Sequence, residues 1–372
     1  MIEIREVKTK KEQKEFLDFP IKLYKGCPNY SPSLYISEKA IFNKDYFYYK
    51  TCEAIYFNAY KDGKIVGRIA GILQKAANEK WNQKRVRFNR FDLIEDFEVA
   101  KALLKAVEDW AKAKGMNEVF GPMGFSDMEK EGLLVEGFDE PTTFNENYNY
   151  EYYKTFLEKL GYVKEIDWIA HQCRLGNLDV AKKHEMCRLL LKKYNLHYCE
   201  EKKTSKLLKN YGEQFFDIVE ESYGDLYQTV PFIPEQIEDM ISSFKLILST
   251  KYIRLILDEN DKVVAFGLMF PMIAPILNKT GGHLYPWILP ELIHYIKHPK
   301  IVEFGLIGVR KRYLNTGIAW LTMDTFMDSL VKGEFEYAET NLTLEDNAPI
   351  LAMLHKYDLR DHRIVRTYIK KI

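Results

Sequence analysis

The sequence predicts a mixed α/β protein, with α+β character in its sheet, built as two similar halves. Three observations carry that prediction. A pair of β-rich runs about a polar turn occurs once in each half. Helix and strand signals follow each pair in the same order. The spacing between matching features is nearly constant along the chain.

The hairpins come first. Residues 54–73, AIYFNAYKDGKIVGRIAGIL, form two runs about Asp62-Gly63, a dipeptide suited to a tight hairpin turn. Residues 252–270, YIRLILDENDKVVAFGLMF, do the same about Glu259-Asn260-Asp261. Aligning Lys64 with Lys262 gives an offset of 198 residues. The helix ends FLEKLGY (156–162) and MLHKYDL (353–359) align Lys159 with Lys356, an offset of 197. Two unrelated features that agree within one residue indicate an internal duplication.

The remaining elements keep the order. In the first half a strand over 86–91 leads to a helix over 95–114. That helix carries Val99, Ala102, Leu103, Ala106, Val107 and Trp110 at i, i+3, i+4 spacing, so it has one apolar face. Gly115 stops it, and a strand (118–121) and a helix (150–160) follow. In the second half the series is strand 301–309, helix 316–330, strand 335–341, helix 347–356 and a last strand 364–369. Residues 122–147 and 271–300 are long excursions, which usually serve function or cover a pocket. Residues 176–210 are lysine-rich and helical in pattern, and read as the connection. A chain of 372 residues suits two domains, expected at 1–175 and 211–372.

Composition narrows the partners. Lys+Arg and Asp+Glu are both 54, so there is no global basic field for nucleic acid or a membrane surface. The charged start MIEIREVKTKKEQKEF lacks the apolar core of a signal peptide, and the longest apolar runs are strand-length. A cytoplasmic protein is expected. Cys27, Cys52, Cys173, Cys187 and Cys199 show no metal-ligand spacing, so reduced thiols and no metal are expected. There is no GxSxG, GxxxxGK[ST] or HExxH.

The chemically informative stretch is 303–321, EFGLIGVRKRYLNTGIAWL. An apolar strand ending at Ile307, Gly308 and Val309 enters a short basic loop and then a helix. Unpaired amides at a helix N-terminus attract phosphates. Arg310, Tyr313, Leu314 and Asn315 form the loop, and Lys311 and Arg312 add charge. Thr316 is placed to cap the helix, Gly317 permits close ligand approach, and Ile318 and Ala319 open the helix. An ordinary strand-turn-helix with a solvated basic turn fits the same segment.

The hairpin, the run V-x-x-x-Y-x-x-x-G-I-A (309–319) and the helix NAPILAML (347–354) resemble the GCN5-related N-acetyltransferase (GNAT) superfamily. FPIKLYKGCPNYSPSL (19–34), DGKIVGRIAGI (62–72), EGLLVEGFDEP (131–141) and NYEYYKTFLEKLGY (149–162) resemble long bacterial tandem GNAT-like proteins. The resemblance implies two tandem acyl-CoA N-acyltransferase domains. Acetyl-CoA or another acyl-CoA would be the co-substrate, and a small-molecule or peptide amine the acceptor. The family's pyrophosphate loop reads Gln/Arg-x-x-Gly-x-Gly/Ala; Gly317 and Ala319 match it, while Leu314 stands at the Gln/Arg position.

By the same resemblance Glu303 is a candidate base for the amine, though a salt-bridged strand residue would look the same. The family's thiolate-protonating tyrosine falls at Leu354; Tyr357, three residues on, is the candidate substitute or a packing residue. Asn347 either faces the CoA arm or simply caps its helix. The first-half loop, FDLIEDF (91–97), has no glycine and three acids, which implies that this half has lost CoA binding. A non-catalytic scaffold on the same frame is the alternative.

Overall fold

The structure is a computed structural model that describes residues 1–244 and 248–372. Asp62 and Gly63 both take left-handed φ, 52° and 75°, the geometry of a tight turn matched to strand twist. They join β2 (Cys52–Lys61) to β3 (Lys64–Gln74). Before the hairpin lie β1 (Ile2–Glu6), α1 (Lys10–Leu23) and α2 (Tyr35–Ala40). After it come α3 (Lys75–Lys80), β4 (Arg85–Leu93), α4 (Phe97–Ala113), β5 (Glu118–Gly121), β6 (Leu133–Glu136), α5 (Tyr152–Lys159) and β7 (Val163–Arg174).

The series then repeats. It runs α6 (Val180–Tyr194), β8 (His197–Tyr198), α7 (Thr204–Tyr223), α8 (Pro234–Phe244), β9 (Ile253–Leu257) and β10 (Val263–Pro271). Next are α9 (Ala274–Thr280), α10 (Leu289–Lys297), β11 (Ile301–Val309), α11 (Ala319–Val331) and β12 (Tyr337–Glu339). The chain closes with β13 (Thr343–Leu344), α12 (Ala348–Leu354) and β14 (Asp358–Lys371).

Two compact units interleave along the sequence. The first comprises Met1–Ile169, Ile273–Pro290 and His362–Ile372; the second comprises Ala170–Met272 and Glu291–Asp361. These bounds differ from the contiguous spans expected from sequence because β7 and β14 are each divided between units. The 271–300 excursion, expected to interrupt the second half, gives residues 273–290 to the first unit.

The first unit's sheet runs β1-β2-β3-β4-β5-β14, with β6 also on β14. Only the β4–β5 pairing is parallel on that path. The second unit repeats this topology from its far edge: β8-β9-β10-β11-β12-β7, with β11–β12 the parallel pair. In both, one long helix packs on the strands at a glycine. A Cβ on Gly67 would lie 2.9 Å from Leu103 of α4, and one on Gly267 would lie 2.7 Å from the Thr322 carbonyl of α11. In α4, Val99, Leu103, Val107 and Ala111 form the buried stripe that 3.6-residue spacing requires, with Trp110 at its margin.

Local chemistry accounts for the other segments. The aromatic run Tyr46, Phe47, Tyr48 and Tyr49 packs against the hairpin residues Tyr56, Ala70 and Ile72. The 122–147 excursion contains β6 and is tied into the first unit. Glu146 pairs with Arg363 in full burial, and Asn149 bonds both the amide and the carbonyl of Leu134, at 2.8 and 3.0 Å. The EGFDEP stretch is thus anchored by the chain's last strand.

A buried charge left without its partner costs about 3–5 kcal/mol. Arg363→Ala, which strands Glu146, is expected to destabilise the first unit by that order. A thermal melt followed by circular dichroism reads the effect.

Candidate functional site

The site begins where two strands part. β11 pairs with β12 over three positions only, Ile301↔Tyr337, Val302↔Ala338 and Glu303↔Glu339. β12 stops there, while β11 continues along β10 to Val309, past a register shift at Gly267/Met269. A cleft therefore opens beside the second half of β11. The Arg310 amide donates to the Val264 carbonyl at 2.9 Å. Strand alternation then turns the backbone groups of Ile307 and Val309 away from β10, toward the cleft.

Those groups are not bare. The Tyr223 hydroxyl accepts from the Ile307 amide (3.2 Å) and donates to the Ile307 carbonyl (3.0 Å). The Ser222 hydroxyl makes the same pair of bonds with Val309, both at 3.3 Å. Both side chains come from the last turn of α7. At the apex, the Asn341 side-chain Nδ2 donates to the Gly305 carbonyl at 2.9 Å.

The loop leaves β11 through a 3₁₀ turn at Lys311–Tyr313, with Asn315 and Gly317 in left-handed φ of 61° and 88°. Ile318, not Thr316, is the N-cap, and α11 starts at Ala319, three residues later than expected. The displacement has a cause: the Thr316 hydroxyl donates to the Tyr313 carbonyl, closing one more turn before the helix. It also accepts from the Ile318 amide at 3.4 Å. No side chain caps α11, and the amides of Asn315, Gly317 and Ala319 take no partner among the described residues. Leu314 is 54% exposed.

Helix α6 covers one side of this turn. A Cβ at Gly317 would meet Leu190 at 3.6 Å, and the Tyr194 ring meets that of Tyr313 edge-on at 6.1 Å. The loop's cations have acidic neighbours. Arg310 pairs with Glu221 at 3.0 Å, Lys311 with Asp225 at 3.4 Å and Arg312 with Asp258 at 3.3 Å. Glu221 also accepts the Lys311 amide. Burial raises the pKa of Glu221, but these two donors outweigh it and hold the carboxyl below its usual value.

At the apex two carboxylates lie side by side. Glu303 and Glu339 are register partners, so they share a face of the sheet, and they are 4% and 0% exposed. Tyr295 of α10 lies within the field of Glu303: burial first, then the Glu303 charge, then that of Glu336, pushes its hydroxyl above the ordinary tyrosine pKa. Val302 and Phe304 alternate to the other face. There they pack with Phe326, Leu354 and Tyr357. The Tyr357 ring sits 5.5 Å from Phe326 and 6.0 Å from Trp320, and burial raises its pKa well above the usual range. Glu303 and Tyr357 thus stand on opposite faces. Asn347 is the N-cap of α12, its carboxamide oxygen accepting from the Ile350 amide at 3.5 Å.

Sequence reasoning passed over Glu339, Ser222, Tyr223 and a His–Asp pair. His171 Nδ1 is 2.6 Å from the Asp361 carboxylate, while its buried Nε2 has no partner. The His171 backbone exchanges bonds with Thr340, next to Glu339 in the chain. No local motif marks these residues; strand register sets Glu339 beside Glu303, and long-range packing brings the others to their partners.

The first unit has the same parting of strands but a different filling. β4 and β5 pair from Arg85↔Glu118 to Arg87↔Phe120 and then separate. Only Ile94, Glu95 and Asp96 connect β4 to α4, against residues 310–318 in the second unit. Asp96 caps α4 itself, accepting from the Glu98 amide at 3.0 Å. The free backbone of Leu93 is taken by the buried Tyr153 hydroxyl, at 2.8 Å from its amide and 3.1 Å from its carbonyl.

No known protein-family signature matches the chain. Two full-length relatives are similar to it. Protein YghO of Escherichia coli (strain K12) is 25% identical over 381 residues, covering 99% of this chain and 95% of that protein. A bacterial ceramide synthase of Caulobacter vibrioides (strain NA1000 / CB15N) is 23% identical over 376 residues, covering 98% and 96%. Among solved structures, a tandem GNAT protein from the clavulanic acid biosynthesis pathway, without AcCoA, aligns over 100% of this chain and 98% of its own. Its TM-score is 0.55 at 11% identity. A GCN5-related glucosamine N-acetyltransferase region of a fungal multi-domain GH3 β-N-acetylglucosaminidase gives 0.55 at 10% identity, over 100% of this chain and 38% of that one. The protein has the GNAT fold, and it has it twice, in tandem.

A buried backbone group deprived of its hydrogen bond costs about 1–3 kcal/mol. Tyr223→Phe, which removes the hydroxyl from Ile307, is expected to lower stability by that order, measured by urea unfolding.

Proposed function

We propose that the second unit binds an acyl-CoA along the β11–β12 cleft and transfers its acyl group to an amine. The observation that carries this reading is the edge of β11 that no strand pairs beyond Glu303, leading into a helix with no side-chain cap. The backbone of Ile307 and Val309 offers two donor–acceptor pairs, two residues apart, to an extended amide chain. The amides of Asn315, Gly317 and Ala319 lie where a diphosphate would gain from the helix dipole. In this reading Ile307, Gly308 and Val309 receive the amide arm, and Arg310, Tyr313, Leu314, Asn315, Thr316, Gly317, Ile318 and Ala319 surround the diphosphate. The hydroxyls of Tyr223 and Ser222 hold the strand edge until the donor displaces them.

The chemistry then needs a proton acceptor and a proton donor. Glu303, buried beside the cleft apex, takes the proton of the attacking amine. The amine nitrogen bonds to the thioester carbonyl carbon and the carbon–sulfur bond breaks. The thiolate takes up a proton, for which Tyr357 on the other face is the candidate donor, with Asn347 orienting the donor arm. Glu339 beside Glu303 supplies a second carboxyl group at the cleft apex. Ceramides are amides of long-chain amino alcohols, so the ceramide synthase relative supports an amine acceptor and extends the test to long-chain amines and acyl-CoAs. The first unit, with Asp96 and Tyr153 in the equivalent places, supports structure instead of donor binding.

A second reading, a non-catalytic binding protein, is favoured by the acid partners of Arg310, Lys311 and Arg312 and by the cover of α6. Thermal-shift titration separates the two. A ligand that binds only the folded state stabilises it by about 2.7 kcal/mol at a hundred times its Kd. The transferase reading expects a saturable rise in Tm with acetyl-CoA or a longer acyl-CoA; no shift at millimolar ligand would sink it. Given binding, Glu303→Gln is expected to cut turnover by about 10²–10⁴-fold with donor affinity retained. The Ser222→Ala/Tyr223→Phe pair, freed of the competing hydroxyls, is expected to bind donor more tightly than the parent chain.

A further inference from the structure

The first unit carries an aromatic ladder that the acyl-transfer reading does not use. Tyr35, His283, Tyr285 and Trp287 stack in series, with centroids 4.0, 5.1 and 5.9 Å apart and interplanar angles of 25°, 19° and 11°. Residues 283, 285 and 287 alternate, so their rings share one side of the segment. The ladder is firmly seated. The Tyr35 amide donates to the Gly282 carbonyl at 3.0 Å, the Tyr35 hydroxyl to Asp18 at 3.0 Å, and the Asn278 amide to the Cys27 carbonyl at 3.0 Å. Its outer end is not covered among the described residues: Trp287 is 64% exposed, Tyr285 43% and the neighbouring Ile36 74%.

The charges around it have one sign to spare. Asp18 is engaged by Lys14 and Tyr35, and Glu38 by Arg90. Lys22 lies one helical turn from Asp18 on α1, Lys39 one turn from Tyr35 on α2, and Lys25 just past the end of α1. All three are exposed, and none makes an ion pair among the described residues. Ile21, beside Lys22, packs close to Gly281 at the start of the ladder: a Cβ there would lie 2.8 Å away.

We infer that this face of the first unit docks on an anionic lipid bilayer, with Tyr285, Trp287 and Ile36 entering the headgroup layer and Lys22, Lys25 and Lys39 facing lipid phosphates. Trp and Tyr favour the membrane interface because a flat apolar body there carries a polar edge. Unmatched lysines around such rings complement a sheet of negative charge. Among the described residues no helix is long and apolar enough to cross a membrane, so the contact is peripheral. The zero net charge of the chain argues against a global field and leaves this local arrangement untouched. The inference is independent of the acyl-transfer reading.

Cosedimentation of the full chain with vesicles tests it, using phosphatidylcholine alone and phosphatidylcholine with phosphatidylglycerol. Partition onto the anionic vesicles is expected to exceed that onto the neutral ones by about tenfold or more at low salt, and to fall as salt rises. Tyr285→Ser/Trp287→Ser is expected to reduce partition on both vesicle types. Lys22→Glu/Lys25→Glu/Lys39→Glu should abolish the anionic preference, and both variants should keep the parent circular dichroism. Absence of anionic binding by the parent chain overturns the proposal. So does binding that survives the ring substitutions in a folded variant.

Discussion

The three-residue parallel pairing of β11 with β12 is the constraint on which the rest of the second unit depends. A longer pairing would close the sheet and consume the backbone of Ile307 and Val309. A shorter one would lose the register that sets Glu303 beside Glu339. Because pairing stops there, one strand presents hydrogen-bonding edge on its second half and a buried acid pair at its root. Buried backbone groups must be satisfied, so the edge demands a partner, and Tyr223 and Ser222 supply it from α7. A hydroxyl both donates and accepts, so one side chain answers both groups of one residue.

The same constraint acts in the first unit and is answered permanently. Tyr153 is fully buried and shares a hydrogen bond with Tyr24, whose own hydroxyl bonds Asp92. Asp92 in turn pairs with Arg68 at 2.7 Å. The plug of the first unit thus belongs to a buried polar network, and removing it would expose several groups at once. Tyr223 and Ser222 have no such network behind them in the bonds they make, and both are only partly buried. Two copies of one fold carry one device, backed by a buried polar network in the first unit and by two single hydroxyls in the second.

Much of this frame was legible in the sequence. Asp62-Gly63 and the 258–262 turn announce their hairpins through residues that tolerate left-handed φ, and Asp261 takes φ 58°. The i, i+3, i+4 pattern of α4 finds its buried stripe, and strand 301–309 is observed with the bounds its apolar run suggested. What local pattern cannot carry is long-range pairing. Nothing near Ala170 or His362 signals that β7 and β14 divide between units, because the division falls inside each strand and not at a break between elements. For the same reason Glu339, Asp361 and His171 were invisible: each is unremarkable until register sets it beside Glu303, His171 and Thr340.

The loop shows how a matched motif and its surroundings pull apart. Gly317 and Ala319 hold the positions that a phosphate-binding turn needs, and the amides about them are open. Yet Arg310, Lys311 and Arg312, which read in sequence as free positive charge, each lie against a carboxylate. In the proposed reading, attraction for a diphosphate would therefore rest on the helix end more than on these cations. Exposed pairs of this kind contribute little and exchange readily, so Lys311 and Arg312 can turn to a new anion at small cost. Arg310 is different. Its partner Glu221 also holds the Lys311 amide and is kept ionised by both, so that pair fixes the start of the turn. The division of labour within one basic triplet is thus set by α7, the helix that also supplies Tyr223 and Ser222. Strand edge and the start of the turn are both held from a single helix end.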